Sequence, residues 1–62
     1  MPLNSADQED LESLPGVGEV TARRILEWRD EHGGFTAVEQ LREVDGIGTK
    51  RFESLRDAVS IA

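Results

Sequence analysis

Two Gly-aliphatic-Gly triplets hold the chemistry of this sequence. Leu14-Pro15-Gly16-Val17-Gly18 returns thirty residues later as Val44-Asp45-Gly46-Ile47-Gly48. A glycine turn that feeds directly into a helix presents backbone N–H groups with no partner, next to about half a positive charge from the helix dipole. Without a Cβ, an oxygen of an anion can come within hydrogen-bonding distance of that backbone. The chemistry on offer is therefore anion binding, phosphate above all, by a site that needs little from side chains. The expected donors in the first copy are the amides of Gly16, Gly18, Val20 and Thr21. Those of the second are the amides of Gly46, Gly48, Lys50 and Arg51. Val17 and Ile47, between the glycines, should point inward and hold each turn in shape. Side chains then add to the site: Thr21 in the first copy, Thr49, Lys50 and Arg51 in the second.

The elements that must position these turns are short helices. Asp7 is the expected N-cap of a first segment reaching Leu14, with Asp10 as its capping-box partner and Leu11 and Leu14 as its apolar pair. Its acids crowd the N-terminal turns, where the dipole favours them. Leu14-Pro15-Gly16-Val17 reads as a type II turn, with Pro fixing φ at the first central position and Gly supplying positive φ at the second. A second segment over 19–32 buries Ala22, Ile25 and Leu26, extended by the stem of Arg29, and stops at Gly33 in the left-handed conformation with Phe35 closing the cap. A third segment over 37–44 carries Val38, Leu41 and Val44 at i, i+3, i+6, with Thr36 as its cap and Glu39 as box partner. The fourth, over 49–59, carries Phe52, Leu55 and Val59. No segment alternates with period two, so no sheet is expected.

The fold class is all-α. Four or five short helices form two helix-hairpin-helix motifs, about 7–32 and about 37–59, within one domain spanning 1–62. Helices of this length are marginal alone, and neither two-helix unit has enough apolar surface to stand by itself. The two units should therefore pack face to face about a pseudo-twofold axis, aligning Leu11 with Leu41, Leu14 with Val44 and Ile25 with Leu55.

Composition narrows the function. Sixty-two residues with 37% apolar content allow one small core and no more. A chain of this size buries only about 60% of its unfolded surface, so stability should be slight. The absence of cysteine excludes disulfides and thiol chemistry, and with a single His a zinc site is not expected. The acids of the first segment lack the spacing of a calcium loop and read as a solvated helix face. His32, near a helix C-terminus, reads as a surface residue favoured by the dipole. No run approaches the roughly 18 apolar residues of a membrane span, and no basic-then-apolar leader follows Met1. The chain reads equally as a natural small protein or as a domain of a larger one.

The order and spacing of Leu3-Asn4-Ser5-Ala6, Leu11, Leu14-Pro15-Gly16-Val17-Gly18, Ala22, Ile25, Trp28-Arg29, Gly33, Phe35, Leu41, Val44, Gly46-Ile47-Gly48 and Leu55 resemble the tandem helix-hairpin-helix family, in particular the DNA-binding domains of the ComEA competence proteins. The match runs over essentially the whole chain, and the doubled hairpin is its specific part. The resemblance implies double-stranded DNA bound without sequence preference, each hairpin gripping the phosphates of one strand and the pair straddling the minor groove. It also implies a parent protein tethered outside the bacterial cytoplasmic membrane and acting in DNA uptake during transformation. By the same resemblance, the carbonyls of Leu14 and Val17, or of Val44 and Ile47, could hold a monovalent cation; no other cofactor is expected. The isolated domain should be a monomer that makes no membrane contact of its own.

Charge sets the strength of that expectation. Thirteen acids against seven bases give a net charge of −6, the opposite of the usual nucleic-acid footprint. Residues 1–31 carry eight acids and three bases, and residues 32–62 five acids and four bases, so the second copy is close to neutral. At physiological salt acids on a far face are screened beyond about 8 Å. Engagement of roughly four phosphates should give weak binding, about 10⁻⁴ to 10⁻⁶ M, that falls steeply with salt. Copy one, with Glu19 beside its turn, must lean on backbone amides, and Arg23 and Arg24 read as partners of Glu19, Glu27 or Asp30. Two other readings stand beside DNA binding: a protein-interaction or scaffold module that kept the fold, and the DNA-holding part of a larger DNA-processing protein. An enzyme is not expected, because no cluster of catalytic or metal-ligating residues is present.

Overall fold

A computed structural model describes residues 1–61. Its elements are α1 (Gln8–Glu12), α2 (Glu19–His32), a 3₁₀ helix (Val38–Glu43) and α3 (Thr49–Leu55).

α1 starts where its capping box places it. The Asp7 carboxylate accepts from the Asp10 amide at 2.9 Å, and the Asp10 carboxylate accepts from the Asp7 amide at 3.2 Å. α2 ends at Gly33, whose φ of 72° is left-handed, and the Gly34 amide reaches back to Arg29 O at 2.8 Å. Phe35 closes this end from below: it is buried and its ring stacks on Trp28 with centroids 4.6 Å apart. The His32 ring also stacks on Trp28, with centroids 3.9 Å apart.

The third segment departs from expectation. It is a 3₁₀ helix, shorter than the α-helix expected over 37–44. The apolar spacing gives the reason: Val38, Leu41 and Val44 recur every third residue, which is one face of a helix with three residues per turn. The two amides just before it are held by Gln40, whose Oε1 accepts from Thr36 N at 2.7 Å and Ala37 N at 3.2 Å. The N-cap residue is Ala37, whose methyl group accepts nothing, so the expected box is reduced to one side, supplied by Gln40 in place of Glu39.

The last helix also stops early, at Leu55 where Val59 was expected. After a turn closed by Ala58 N on Leu55 O, Val59 stays buried, and Ser60 pairs in parallel with Pro2. Ser60 N donates to Met1 O and Leu3 N donates to Ser60 O, both at 2.8 Å. Extended backbone suits the β-branched Val59 and Ile61, and this pairing outweighs one more helical turn.

The internal repeat is written in the burial pattern. Stretches 11–20 and 41–50 show the same order of buried and exposed positions. Leu11 and Leu41, Leu14 and Val44, Val17 and Ile47, Ala22 and Phe52, Ile25 and Leu55 are equivalent pairs, and all are buried in one core. α1 packs on α2, and the 3₁₀ helix packs on α3. Arg29 ties the N-terminal segment to this frame, its Nη1 donating to Leu3 O at 2.9 Å and Ala6 O at 2.7 Å. The stem expected to extend the apolar stripe therefore ends in a guanidinium that satisfies two backbone carbonyls.

Candidate nucleic-acid interface

The two turns are built alike. Val17 N donates to Leu14 O and Ile47 N donates to Val44 O, both at 3.1 Å, and the central glycines have φ of 75° at Gly16 and 96° at Gly46. That combination is the type II geometry, which only glycine adopts without strain. Val17 and Ile47 are buried, and their amides are committed to their own turns, so these two residues support the hairpins from within. Leu14 O and Val44 O each accept that turn amide.

The outer glycines differ. Gly18 and Gly48 are the N-caps of α2 and α3, with extended backbone (φ −97° and −90°) and no capping side chain. A Cβ at either would meet nothing within 4 Å. Neither conformation nor packing requires glycine there, and Ser or Asp would cap the helix better. The first intrahelical donors are Ala22 N to Gly18 O and Phe52 N to Gly48 O, both at 2.9 Å. The amides of Glu19, Val20 and Thr21, and of Thr49, Lys50 and Arg51, precede them and lie in the unpaired first turn.

The hairpins meet around one open concavity of about 470 Å³, which brings Pro15 and Gly16 of the first against Gly46, Gly48, Lys50 and Arg51 of the second. Gly18 and Val20 are exposed outside that lining, Val20 at 58%, and Thr49 is exposed at the start of α3. Thr21 is half-buried, with Oγ1 4.0 Å from where a Cβ on Gly46 would stand.

The other cations are already engaged. Arg23 pairs with Glu19 at 2.7 Å, as its i, i+4 spacing suggests. Arg29 holds the N-terminal carbonyls, Arg42 lies 5.4 Å from the Phe52 ring centroid, and Arg56 faces Asp57 at 3.9 Å. Among the described residues, Lys50 and Arg51 take no side-chain hydrogen bond or ion pair, and both line the concavity. Arg24 corrects the sequence reading. Its Nη1 bypasses the acids on its own helix and lies 3.5 Å from Asp45 O and 3.8 Å from the Asp45 carboxylate, in the opposite hairpin. Nothing in local spacing signals a contact 21 residues away.

No group of His, Asp and Glu that could hold a metal ion is found among the described residues, and none of their helices is long and apolar enough to cross a membrane.

Comparison with known proteins agrees with this geometry. The family described as "Helix-hairpin-helix motif" matches residues 2–60. ComE operon protein 1 of Bacillus subtilis is 36% identical over 59 residues, covering 95% of this chain and 29% of that protein. Human endonuclease/exonuclease/phosphatase family domain-containing protein 1 is 38% identical over 60 residues, covering 97% of this chain and 10% of that protein. Zebrafish (Danio rerio) kinesin-like protein KIF22 is 42% identical over 52 residues, covering 84% of this chain and 8% of that protein. The chain thus spans less than a third of each of these relatives.

Proposed function

The chain belongs to the helix-hairpin-helix family, and from that premise we propose that it is a non-catalytic module that binds double-stranded DNA by its phosphates, weakly and without sequence preference. The observation that carries this reading is the pair of N-cap glycines. Gly18 and Gly48 have ordinary extended backbone, and a side chain there would meet no protein atom. What glycine leaves is open space beside unpaired amides, and the uncommitted cations Lys50 and Arg51 stand at the same concavity.

Phosphate contacts of this kind hold the duplex backbone and read no base, which is why no sequence preference is proposed. The two hairpins would each take one strand across the minor groove. The net charge of −6 opposes long-range attraction, so single-domain affinity is set in the range of non-specific binding, about 10⁻⁴ to 10⁻⁶ M. Several copies on one DNA would gain by avidity. A role in DNA uptake, with a parent tethered outside the cytoplasmic membrane, is the finer proposal; it rests on the likeness to ComE operon protein 1 and its family.

A titration with a duplex of arbitrary sequence, followed by amide NMR, tests the reading. The amides of Gly18 and Gly48 should move first, and about 0.5 M salt should abolish the shifts. Largest changes on α1 and the 3₁₀ helix, or none at low salt, would overturn it. Retention by a basic protein in place of DNA would favour the scaffold alternative, which the acidic charge supports. The 10% coverage of the endonuclease/exonuclease/phosphatase family protein supports the third reading, a DNA-holding part of a larger protein.

A further inference from the structure

Each hairpin has a guanidinium leaning over it that belongs to the other repeat. A Cβ on Gly16, in the first turn, would stand 3.4 Å from Arg51 Nε of α3. A Cβ on Gly46, in the second turn, would stand 3.0 Å from Arg24 Nη1 of α2. The two arginines are not equivalent in the repeat. The twin of Arg51 is Thr21, which faces the Gly46 position at 4.0 Å and carries no charge. The twin of Arg24 is Ser54, also neutral. Each repeat therefore sends one guanidinium across the pseudo-twofold, from position 51 in one case and from position 24 in the other.

We infer that the phosphate at each hairpin is met by the arginine of the opposite repeat, Arg51 at the first turn and Arg24 at the second. This rests on the DNA-binding reading above. It supplies what the first hairpin lacks on its own side, where Val20 and Thr21 are uncharged and Glu19 is tied to Arg23. Guanidinium suits the task because its planar fork matches two phosphate oxygens. Both central glycines allow positive φ, and Gly46 also leaves room for the crossing side chain of Arg24, whereas a Cβ on Gly16 would make only ordinary contact with Arg51. Asp45 stands where the first copy has Pro15 and holds Arg24 loosely, 3.8 Å from a carboxylate that is 92% exposed. An arriving phosphate would take the place of that carboxylate, so Asp45 is the resting competitor of the second hairpin.

The test uses the whole chain and a mixed-sequence duplex at about 50 mM salt, read by anisotropy across a salt series and by amide NMR. Arg51→Gln should weaken binding several-fold, reduce the salt slope by about 0.9, and diminish the DNA-induced shifts of Gly16 and Gly18 more than those of Gly46 and Gly48. Arg24→Gln should do the reverse, with Arg24→Lys recovering the slope. Asp45→Asn should raise affinity, and the gain should vanish when combined with Arg24→Gln. Thermal melts check the fold, which should hold because Arg24 and Arg51 are exposed. Loss of Gly46 and Gly48 shifts in Arg51→Gln, or an unchanged slope in Arg24→Gln while Lys50→Glu weakens binding, overturns the crossed assignment and leaves the DNA reading standing. No binding by the unaltered chain overturns both.

Discussion

Asn4 and Phe35 exchange two hydrogen bonds across 31 residues: Asn4 Nδ2 donates to Phe35 O at 2.9 Å, and Phe35 N donates to Asn4 Oδ1 at 2.7 Å. The side-chain amide acts here as one rung of a ladder, joining the N-terminal segment to the connector between the two motifs. Asn4→Ala should cost about 1–3 kcal/mol by leaving both partly buried backbone groups without a partner. Asn4→Asp should be no better, because it keeps the acceptor, loses the donor and sets a carboxylate against Phe35 O. Urea unfolding of the two variants checks this.

The glycines of each hairpin should separate stability from binding. Gly18→Ser and Gly48→Ser should leave stability unchanged or raise it by a few tenths of a kcal/mol, since Ser is the better N-cap and a Cβ meets nothing there. Duplex affinity should nevertheless fall. Gly16→Ala and Gly46→Ala should instead destabilise by about 1 kcal/mol or more through positive φ. Parallel melting and anisotropy measurements decide it, and full affinity in both serine variants would argue against phosphate approach at the caps.

The start of the 3₁₀ helix depends on a residue that capping patterns did not select. Gln40→Ala should lower stability by about 1 kcal/mol, because the Thr36 and Ala37 amides lose their acceptor. Glu39→Ala, at an exposed position, should change it by no more than about 0.5 kcal/mol. Equal effects from the two substitutions would contradict the observed cap.

One core shared by both motifs should respond alike to the same deletion in either. Leu11 and Leu41 are both fully buried, so Leu11→Ala and Leu41→Ala should each cost about 2–5 kcal/mol. In a domain this small that is a large part of the total. Circular dichroism melts should show single transitions in both cases, without a surviving half.

Much of the fold was legible because its signals are local. The Gly-aliphatic-Gly turns, the Asp7–Asp10 box and the Gly33 stop each depend on residues within five positions of one another. The stripe Val38-Leu41-Val44 was legible as apolar but misread in type, although its spacing of three is the period of a 3₁₀ helix. The early end of α3 was hidden because Ser60 finds its partners at Met1 and Leu3, at the far end of the sequence. At the candidate site, the turn residues and Lys50 were read from spacing. Arg24 was assigned to its own helix face, because i, i+4 reasoning sees one helix at a time and this side chain crosses to the other repeat.

The parallel pairing of Pro2 with Ser60 has a mechanical consequence. Tension along the polypeptide would draw residues 1–3 and 59–61 in opposite directions along their lengths. The bonds Leu3 N to Ser60 O and Ser60 N to Met1 O would then be sheared together rather than peeled in turn. A pull from both flanks would meet this clasp before it reached the core, so these two bonds would have to break together before the helices were loaded.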